Sequence, residues 1–256
     1  MWIIIVIFVA HWYLALFFQT FFLHRYAAHG AFKMSKRQEK IFFVLTWLFQ
    51  GSNYLSPYGY GVMHRMHHAY ADTENDPHSP KYDVSFWAMM WKTKNIYSNI
   101  ASGKVTPEAR FTDGVPRWDS FDKFARSWPS RLFWTGIYVM LYFQFATVWW
   151  VWLFLPLQLF LSPIHGAIIN WFAHLYGYRN FEVGDTSKNL LPVDFLMLGE
   201  SYHNNHHKFG GRANFGGVRW HEIDPTYLLI KLMDKLKIIE LVQSKNQQYK
   251  EFRKVA

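Results

Sequence analysis

Eight histidines lie in three short clusters whose spacing is typical of metal sites. The clusters are His24 and His29, then His64, His67 and His68, then His203, His206 and His207. An α-helix turns about 100° per residue, so positions i, i+3 and i+4 share one face and can present three rings together. Neutral imidazole binds iron, zinc and copper. Six to eight imidazoles exceed the needs of one ion, so the sequence predicts two metals.

Two other spacings affect the expected ligand set. His24 and His29 are five residues apart, about 140° around a straight helix. Either the helix ends between them or each ring addresses a different ion. Asn170 and His174 are four residues apart at the end of an uncharged stretch. They are either a polar cap at the membrane surface or a ninth imidazole with an asparagine that holds a metal-bound water.

Ligating histidines usually have their second ring nitrogen held by a carboxylate or a carbonyl. The acidic residues beside the second and third clusters are the candidates: Asp72, Glu74, Asp76 and Glu200. For each of them a solvated loop charge is an equally good interpretation. His11 and His165 lie inside apolar stretches, where a hydrogen bond within a helix bundle is the expected role. His78 and His221 lie in polar loops, and we expect them to be structural.

The elements that must position these side chains are predicted from three stretches without Asp, Glu, Lys or Arg. The stretches cover residues 1–23, 41–63 and 132–178. The first is long enough to cross a bilayer core of about 30 Å. The third is long enough for a hairpin of two spans, which we place at 132–150 and 156–172, with Pro156 at the start of the second.

The segment 41–63 is expected to be an interfacial or re-entrant helix rather than a span. A full crossing would place the first two histidine clusters on opposite sides of the membrane. The second half of the segment is also too polar and too rich in helix breakers for lipid. We therefore predict a bend near residues 51–57.

The charges indicate the orientation of these elements. Residues 24–40, 64–131 and 173–256 hold 5, 10 and 12 of the Lys and Arg residues, which are all 27 in the chain. The positive-inside rule then places the histidines on the cytoplasmic side. The prediction is an all-α integral membrane protein with one domain, 1–256, whose cytoplasmic helical cap consists of residues 64–131 and 173–256.

Composition excludes several classes of protein. There is no cysteine, which excludes disulfides, thiolate zinc sites, iron–sulfur clusters and a cysteine nucleophile. The net charge of +9 comes from basic residues interleaved with acidic ones, which favours a face toward anionic lipid over binding to nucleic acid. No basic segment precedes the first apolar run, so no cleavable signal peptide is expected.

The histidine motifs resemble those of the membrane fatty acid desaturases of the acyl-CoA Δ9 type, related to stearoyl-CoA desaturase, in a short bacterial form. The motifs are HRYAAH, HRMHHAYADTENDPHSP and GESYHNNHHKF, with NWFAH from Asn170 to His174. The resemblance implies a di-iron centre that uses O2 as co-substrate and introduces a cis double bond into a long acyl chain. It also implies a bacterial inner-membrane protein with its active site toward the cytoplasm. Zinc is an expected substitute for iron in purified protein.

The resemblance also implies which residues form the site. The expected iron ligands are the eight clustered histidines and His174, with Asn170 acting through a water. Asp76 and Glu200 are expected to support the ligands. Expected contacts to an acyl-CoA or acyl-lipid substrate are Arg25, Gln50, Asn53, Gly166, Ala167 and Trp171. Gly166 and Ala167 stand where animal members have a Thr-Trp pair, so regiospecificity is left open.

Electrons are expected from a separate protein, because no heme-ligand pattern follows His221. A ferredoxin-like or cytochrome b5-like carrier with a reductase fits this role. Two other functions remain open at this point. A membrane di-iron fatty acid or lipid hydroxylase would use similar histidine motifs, and a non-catalytic membrane metal-binding protein would tolerate them.

Overall fold

The computed structural model describes residues 1–242, and helices dominate this part of the chain. Residues 243–256, the last part of the predicted cap, lie outside the described residues. The α-helices are α1 (Trp2–Phe18), α2 (Lys36–Gln50), α3 (Pro57–Tyr70), α4 (Phe86–Ala101), α5 (Ala109–Thr112), α6 (Asp119–Ala125), α7 (Trp128–Phe145), α8 (Phe154–Leu159), α9 (Leu161–Ala167), α10 (Ala173–Leu175), α11 (His203–Lys208) and α12 (Pro225–Lys235).

Four shorter helical segments and two strands connect these helices. The segment π1 (Gln19–Ala28) continues α1, and π2 (Ile168–Phe172) joins α9 to α10; both are π-helices. The 3₁₀ turns are Gly51–Asn53 and Trp149–Leu153. Strands β1 (Phe32–Lys33) and β2 (Glu240–Leu241) pair antiparallel, which holds the chain that follows His29 against the segment after α12.

Helices α1 and π1 form one continuous rod of 27 residues, Trp2–Ala28. It is the one described helix that is by itself long and apolar enough to cross a membrane. A second crossing is counted only if the bent pair 149–159 and 161–175 forms one span. The side chains of Trp2, Ile3 and Val6 are exposed, an apolar face that suits lipid. The number of spans therefore remains a prediction.

The expected hairpin of spans at 132–150 and 156–172 remains a prediction, and the helices of the structure differ from it in their bounds and in a bend. Helix α7 begins at Trp128 and ends at Phe145, and it is not among the described helices that are apolar enough to cross a membrane. The second arm does not run straight from 156 to 172. It bends by 72° between α8 and α9. Pro163 lies in the first turn of α9, where its ring is tolerated only if the preceding helix stops.

Between the first two histidine clusters, α2 and α3 are separate helices joined by a sharp break. Gly51 ends α2 with φ of 55°, a conformation that glycine adopts without strain. Helix α3 starts at Pro57 and is capped by Ser56, whose hydroxyl accepts a hydrogen bond from Gly59 N. The break lies within residues 51–57, where the bend is expected. It allows α3 to pack against π1.

Aromatic side chains fill the core beside the first histidine cluster. Phe21 stacks on Phe32 with ring centres 4.7 Å apart, and Phe18 stacks on Phe49 at 5.1 Å. These rings come from π1, β1, α1 and α2 and are among the buried residues of one cluster and their neighbours. The packing fixes the end of α1 and π1, which carries His24.

Candidate metal centre

Nine histidine rings converge in two adjacent groups. Within each group the nearest ring nitrogens lie within 4.8 Å of one another. The first group consists of His24, His29, His64, His68 and His206, and the second consists of His67, His174, His203 and His207. All eight clustered histidines are thus brought together, and His174 joins them. We call these the five-histidine group and the four-histidine group.

The Nε2 atoms point toward the middle of each group. In the five-histidine group, His24 Nε2 lies 3.0 Å from His206 Nε2, and His68 Nε2 lies 2.8 Å from the same atom. In the four-histidine group, the Nε2 atoms of His203 and His174 are 3.0 Å apart. Imidazole nitrogens that face one another at such distances share one focus, the arrangement that a single cation needs from its ligands.

The π-helix explains how His24 and His29 reach the same group. A π-helix hydrogen-bonds residues five apart, so such residues stack along one side. His29 N donates to His24 O at 3.2 Å, and the two rings lie 5.1 Å apart. The alternative of a different ion for each ring is therefore wrong. The π-helix ends at Ala28, and its last turn places the ring of His29 beside the ring of His24.

Helices α3 and α11 each contribute to both groups. On α3, His64 and His68 belong to the five-histidine group and His67 to the other; on α11, His206 belongs to the first group. Rings four residues apart share a group, as in His64 with His68 and His203 with His207, whereas the ring three residues after the first, His67 or His206, faces the other group. Each HxxHH motif therefore directs its rings to two adjacent groups.

Carboxylates hold the outward Nδ1 atoms of three rings. His24 Nδ1 hydrogen-bonds Glu200 Oε2 at 2.6 Å, and His67 Nδ1 hydrogen-bonds Asp76 Oδ1 at 2.9 Å. These contacts agree with the supporting role expected for both acids. A third carboxylate, Asp185, holds His207 Nδ1 at 2.9 Å. Sequence reasoning missed Asp185 because it lies far from every histidine cluster along the chain.

The electrostatics favour rings that are neutral and carboxylates that are charged. Burial lowers the pKa of several imidazoles well below its usual value: His64, His68, His203 and His206. Burial alone would raise the pKa of Asp76, but the hydrogen bond from His67 and the nearby imidazoles lower it below its usual range. Neutral imidazole is the form that binds a metal.

The fourth outer contact of this kind comes from a hydroxyl. Thr186 Oγ1 lies 3.0 Å from His174 Nδ1, and Thr186 N donates to Asp72 Oδ2 at 2.5 Å. Asp72 therefore contacts Thr186, which holds the ring of His174, rather than the ring itself. Glu74 is exposed. Asn170 lies on π2, half-buried, and lines the cavity beside the two groups.

The two asparagines of the third cluster anchor the loops around the centre. Asn204 Oδ1 accepts hydrogen bonds from Asn180 N and Phe181 N, both at 2.9 Å. Asn205 Nδ2 donates to Phe215 O and to Glu222 Oε2, both at 3.0 Å. The motif HNNHH thus provides three rings for the centre and two amides that fix the loops on which Asp185 and Thr186 are carried.

Arg25 is not available to a substrate head group, which corrects its expected role. Its side chain is fully buried, and Nη2 lies 2.7 Å from Asp224 Oδ2. Its Nη1 contacts Glu200 and also hydrogen-bonds Thr20. Its guanidinium lies 3.9 Å above the ring of Phe215, which packs on His206. The charge of Arg25 is therefore compensated by Asp224 and Glu200 inside the protein, next to the five-histidine group.

A small cavity opens beside both groups and extends along α1 and α9. The residues that line it are Leu16, Gln19, His24, Tyr60, Met63, His64, His78, His165, Gly166, Ile169, Asn170, Met197, Glu200 and His203. Gly166, expected as a substrate contact, is part of this wall. Other expected contacts lie outside it: Gln50, Asn53, Ala167 and Trp171.

Those four residues have other neighbours. Gln50 Oε1 accepts a hydrogen bond from Leu55 N at 3.0 Å, and Asn53 Nδ2 donates to Gln158 O at 2.9 Å. Trp171 packs edge-on against Phe86 with ring centres 5.6 Å apart, and Ala167 is buried. Gln50 and Asn53 therefore stabilise the break between α2 and α3.

The remaining histidines have different roles from one another. His11 hydrogen-bonds Gln158 Nε2 at 3.0 Å and lies 3.4 Å from Tyr138 Oη, as expected for a bundle residue. His165 is buried, but neither ring nitrogen has a hydrogen-bond partner among the described residues, so the expected bundle hydrogen bond is wrong. His78 lies in the loop between α3 and α4, as expected, where it is buried and stacks on His67 with ring centres 4.3 Å apart. His221 is half-buried beside Trp220.

Comparison with known proteins agrees with this arrangement. The family model described as fatty acid desaturase matches residues 1–236. The Delta-9 desaturase-like 4 protein of Arabidopsis thaliana is 30% identical over 223 residues, which cover 86% of this chain and 69% of that protein. The Delta-9 acyl-lipid desaturase 2 of the same plant is 30% identical, covering 82% and 65%. The Acyl-CoA C20 Delta5-desaturase of Anemone leveillei is 29% identical, covering 85% and 66%. The chain therefore belongs to the fatty acid desaturase family and is a fatty acyl desaturase, an oxidoreductase of lipid metabolism.

Proposed function

We propose that this protein introduces a cis double bond at the Δ9 position of a long-chain fatty acyl group, with O2 as co-substrate, at a di-iron centre. The observation that carries this proposal is the convergence of nine imidazoles into two adjacent groups. The five-histidine group would hold one iron and the four-histidine group the other. Asn170 would complete the second site through a water.

The donor set fits iron. Imidazole suits iron, zinc and copper, but zinc has no redox chemistry, so it can occupy these sites only as an inactive substitute. When bound, the two irons would supply the activation of O2 and the abstraction of hydrogen from unactivated methylenes. Iron also fits a set of ligands in which carboxylates hold the outer nitrogens of His24, His67 and His207, because such contacts orient the rings and strengthen them as donors.

The chain's own residues would orient the ligands, bind the acyl chain and exclude water. Glu200, Asp76 and Asp185 keep their rings in position. Leu16, Met63, Ile169 and Met197 give the cavity an apolar wall, which suits a hydrocarbon chain and keeps bulk water from the reacting methylenes. The cavity adjoins rings of both groups, His24, His64 and His203, so a methylene there would lie beside both sites.

The setting follows from the family and from the charges. We place the protein in a bilayer, in the bacterial inner membrane, because α1 and π1 form an apolar rod that ends at Ala28. We place the centre toward the cytoplasm because all 27 Lys and Arg residues lie in the segments that carry the histidines. The relatives' names include both an acyl-lipid and an acyl-CoA desaturase, and either carrier is compatible with this site. Electrons would come from a separate ferredoxin-like or cytochrome b5-like carrier and its reductase.

The test is expression in a host without desaturases, followed by mass spectrometry of derivatised acyl chains. A cis-Δ9 monoenoic chain that depends on O2 and on His206 is the expected product. A hydroxylated chain would instead indicate a hydroxylase. Iron analysis and O2 consumption with a reductant address the non-catalytic alternative, since a protein that binds metal without consuming O2 would contradict the proposal.

A further inference from the structure

The cavity beside the metal centre has a polar part that the desaturase reaction does not require. Most of its wall away from the metal ligands is apolar, with Leu16, Met63, Ile169 and Met197. Gln19 and His165 lie in the same wall, on π1 and α9. Both side chains are more than nine-tenths buried, with exposures of 6% and 1%.

The polar atoms of these two side chains are unpaired. Gln19 Oε1 and both ring nitrogens of His165 have no hydrogen-bond partner among the described residues. Buried polar atoms almost always have a partner in the protein or in ordered water. Trp12 holds the ring of His165 edge-on with ring centres 4.4 Å apart, so the ring is fixed in the wall by packing alone.

The same helix bundle does provide hydrogen-bond partners for another imidazole, which is half-buried. His11 lies on α1, near α7 and α8. Its Nδ1 atom faces Gln158 and its Nε2 atom faces Tyr138. Both His11 and His165 are surrounded by apolar helices, but only His165 lines the cavity. The lack of partners at His165 and Gln19 therefore coincides with the space that a ligand would enter.

We propose that Gln19 and His165 form a subsite that binds one hydrogen-bonding oxygen atom inside the acyl cavity. The oxygen is either a hydroxyl group on the acyl chain or an ordered water that remains when a saturated chain binds. Gln19 Oε1 accepts a hydrogen bond, and a neutral imidazole offers one donor and one acceptor. A single O–H group can donate to one side chain and accept from the other. The inference rests on the proposed function, because it assumes that the acyl chain occupies this cavity.

The position of the subsite indicates which part of the chain it would contact. Gln19 precedes His24 by five residues along π1, and Leu16 and Trp12 follow in the same direction, away from the cap. A charged carrier stays at the polar cap. The oxygen would therefore lie beyond the reacting carbons, on the part of the chain nearer the methyl end.

The experiment measures equilibrium binding of octadecanoyl chains to the metal-loaded protein in nanodiscs without O2. The ligands are octadecanoyl-CoA and octadecanoic acid, each compared with isomers that carry one hydroxyl between carbon 12 and carbon 16. The variants are Gln19→Leu and His165→Phe, each measured separately. His11→Phe is the control, since it removes an imidazole of the same bundle that does not line the cavity, and His165→Gln keeps a hydrogen-bonding group.

The two oxygen sources predict different results. If the oxygen is a chain hydroxyl, one isomer binds wild type about tenfold more tightly than the saturated chain, about 1.4 kcal/mol, and both variants lose this preference. If the oxygen is a water, wild type shows no preference between the saturated chain and the hydroxylated isomers. Both variants then bind the saturated chain about tenfold more tightly than wild type does, because they no longer have to hold an ordered water. In either case His165→Gln resembles wild type and His11→Phe shows no such change.

Other outcomes overturn the inference. Affinities within twofold of wild type in both variants would do so, as would the same change in His11→Phe. Binding does not require turnover, so this result is separate from the proposed function. A chain that binds but is never desaturated contradicts the proposed function alone, whereas desaturation with unchanged affinities in both variants contradicts this inference alone.

Discussion

Replacing Arg25 with methionine should both destabilise the protein and weaken metal binding at one of the two groups. The side chain of Arg25 is fully buried, with Nη2 at 2.7 Å from Asp224 Oδ2 and Nη1 at 3.4 Å from Glu200 Oε1. Its Nε also donates to Ala213 O at 2.9 Å. Methionine keeps an unbranched side chain but removes the charge and every donor.

The magnitude follows from the partners left behind. Removing one member of a buried ion pair costs about 3–5 kcal/mol of the free energy of unfolding, because the other charge stays buried without compensation. Glu200 also orients His24, so the five-histidine group should lose about 10–100-fold in metal affinity. The four-histidine group is supported by Asp76 and Asp185 instead, and it should change little.

The assay combines denaturant unfolding of the metal-free protein in detergent with metal titration. Asp224→Asn and the double variant Arg25→Met/Asp224→Asn complete a cycle, which measures the coupling of the pair. We expect the double variant to recover part of the lost stability, since it no longer buries an unpaired carboxylate. Equal loss of affinity at both groups, or a destabilisation below about 1 kcal/mol, would refute the argument from the contacts.

Three further changes are predicted at other points of the structure. Asp76→Asn should lower the metal affinity of the four-histidine group by about 10–100-fold, and unchanged affinity in a metal titration would contradict the supporting role of this carboxylate. His206→Ala should lose about one metal of two and abolish desaturation while the protein still inserts into membranes. Retained activity would contradict a ligand role for His206. Gly51→Ala should destabilise by about 1–3 kcal/mol, because φ is 55° and the new methyl group would meet a tyrosine hydroxyl of α7; an unchanged unfolding midpoint would count against this. Cysteine labels at Ser35 and Ser102 should react from the same side of the membrane, and labels on opposite sides would mean that α2 crosses it.

Local spacing was enough to predict which histidines gather. The rings of α3 and α11 recur at three and four residues, and that period alone places them on one face. The division between two groups could not be predicted in the same way. It depends on how α3 and α11 face each other, which sends His67 to one focus and its neighbours His64 and His68 to the other. Such orientation is a property of packing rather than of sequence period.

The π-helix could not be predicted from the chain. Treating residues 19–28 as a straight α-helix separates His24 and His29 by about 140°, which led to the wrong alternative of one ion each. The π-turns that remove this separation are held by the surrounding aromatic core, in which Phe21 and Phe22 are fully buried. The bend at Phe160 is different, because Pro163 is visible in the sequence and favours the end of the preceding helix.

Supporting residues were predictable only when they lay beside a histidine cluster. Glu200 and Asp76 come directly before or after a cluster, and both contact a ring. Asp185 and Thr186 lie on a loop that reaches the centre from 22 and 12 residues away in sequence. Arg25 is an expected substrate contact in the sequence, yet the structure buries it. Its burial among Asp224, Glu200 and Phe215 depends on contacts nearly 200 residues away along the chain.

The helices that carry the proposed ligands differ in whether they serve one histidine group or both, which separates the spacing of the two groups from the composition of each. Helices α3 and α11 each serve both groups, so their crossing fixes the distance between the two foci. By contrast, π1 serves only the five-histidine group and α10 only the four-histidine group. A change in π1 should therefore alter one metal site at constant spacing, whereas a tilt of α3 moves ligands of both sites at once. The short α11 can act as this shared support because its two asparagines fix it to the loops on either side.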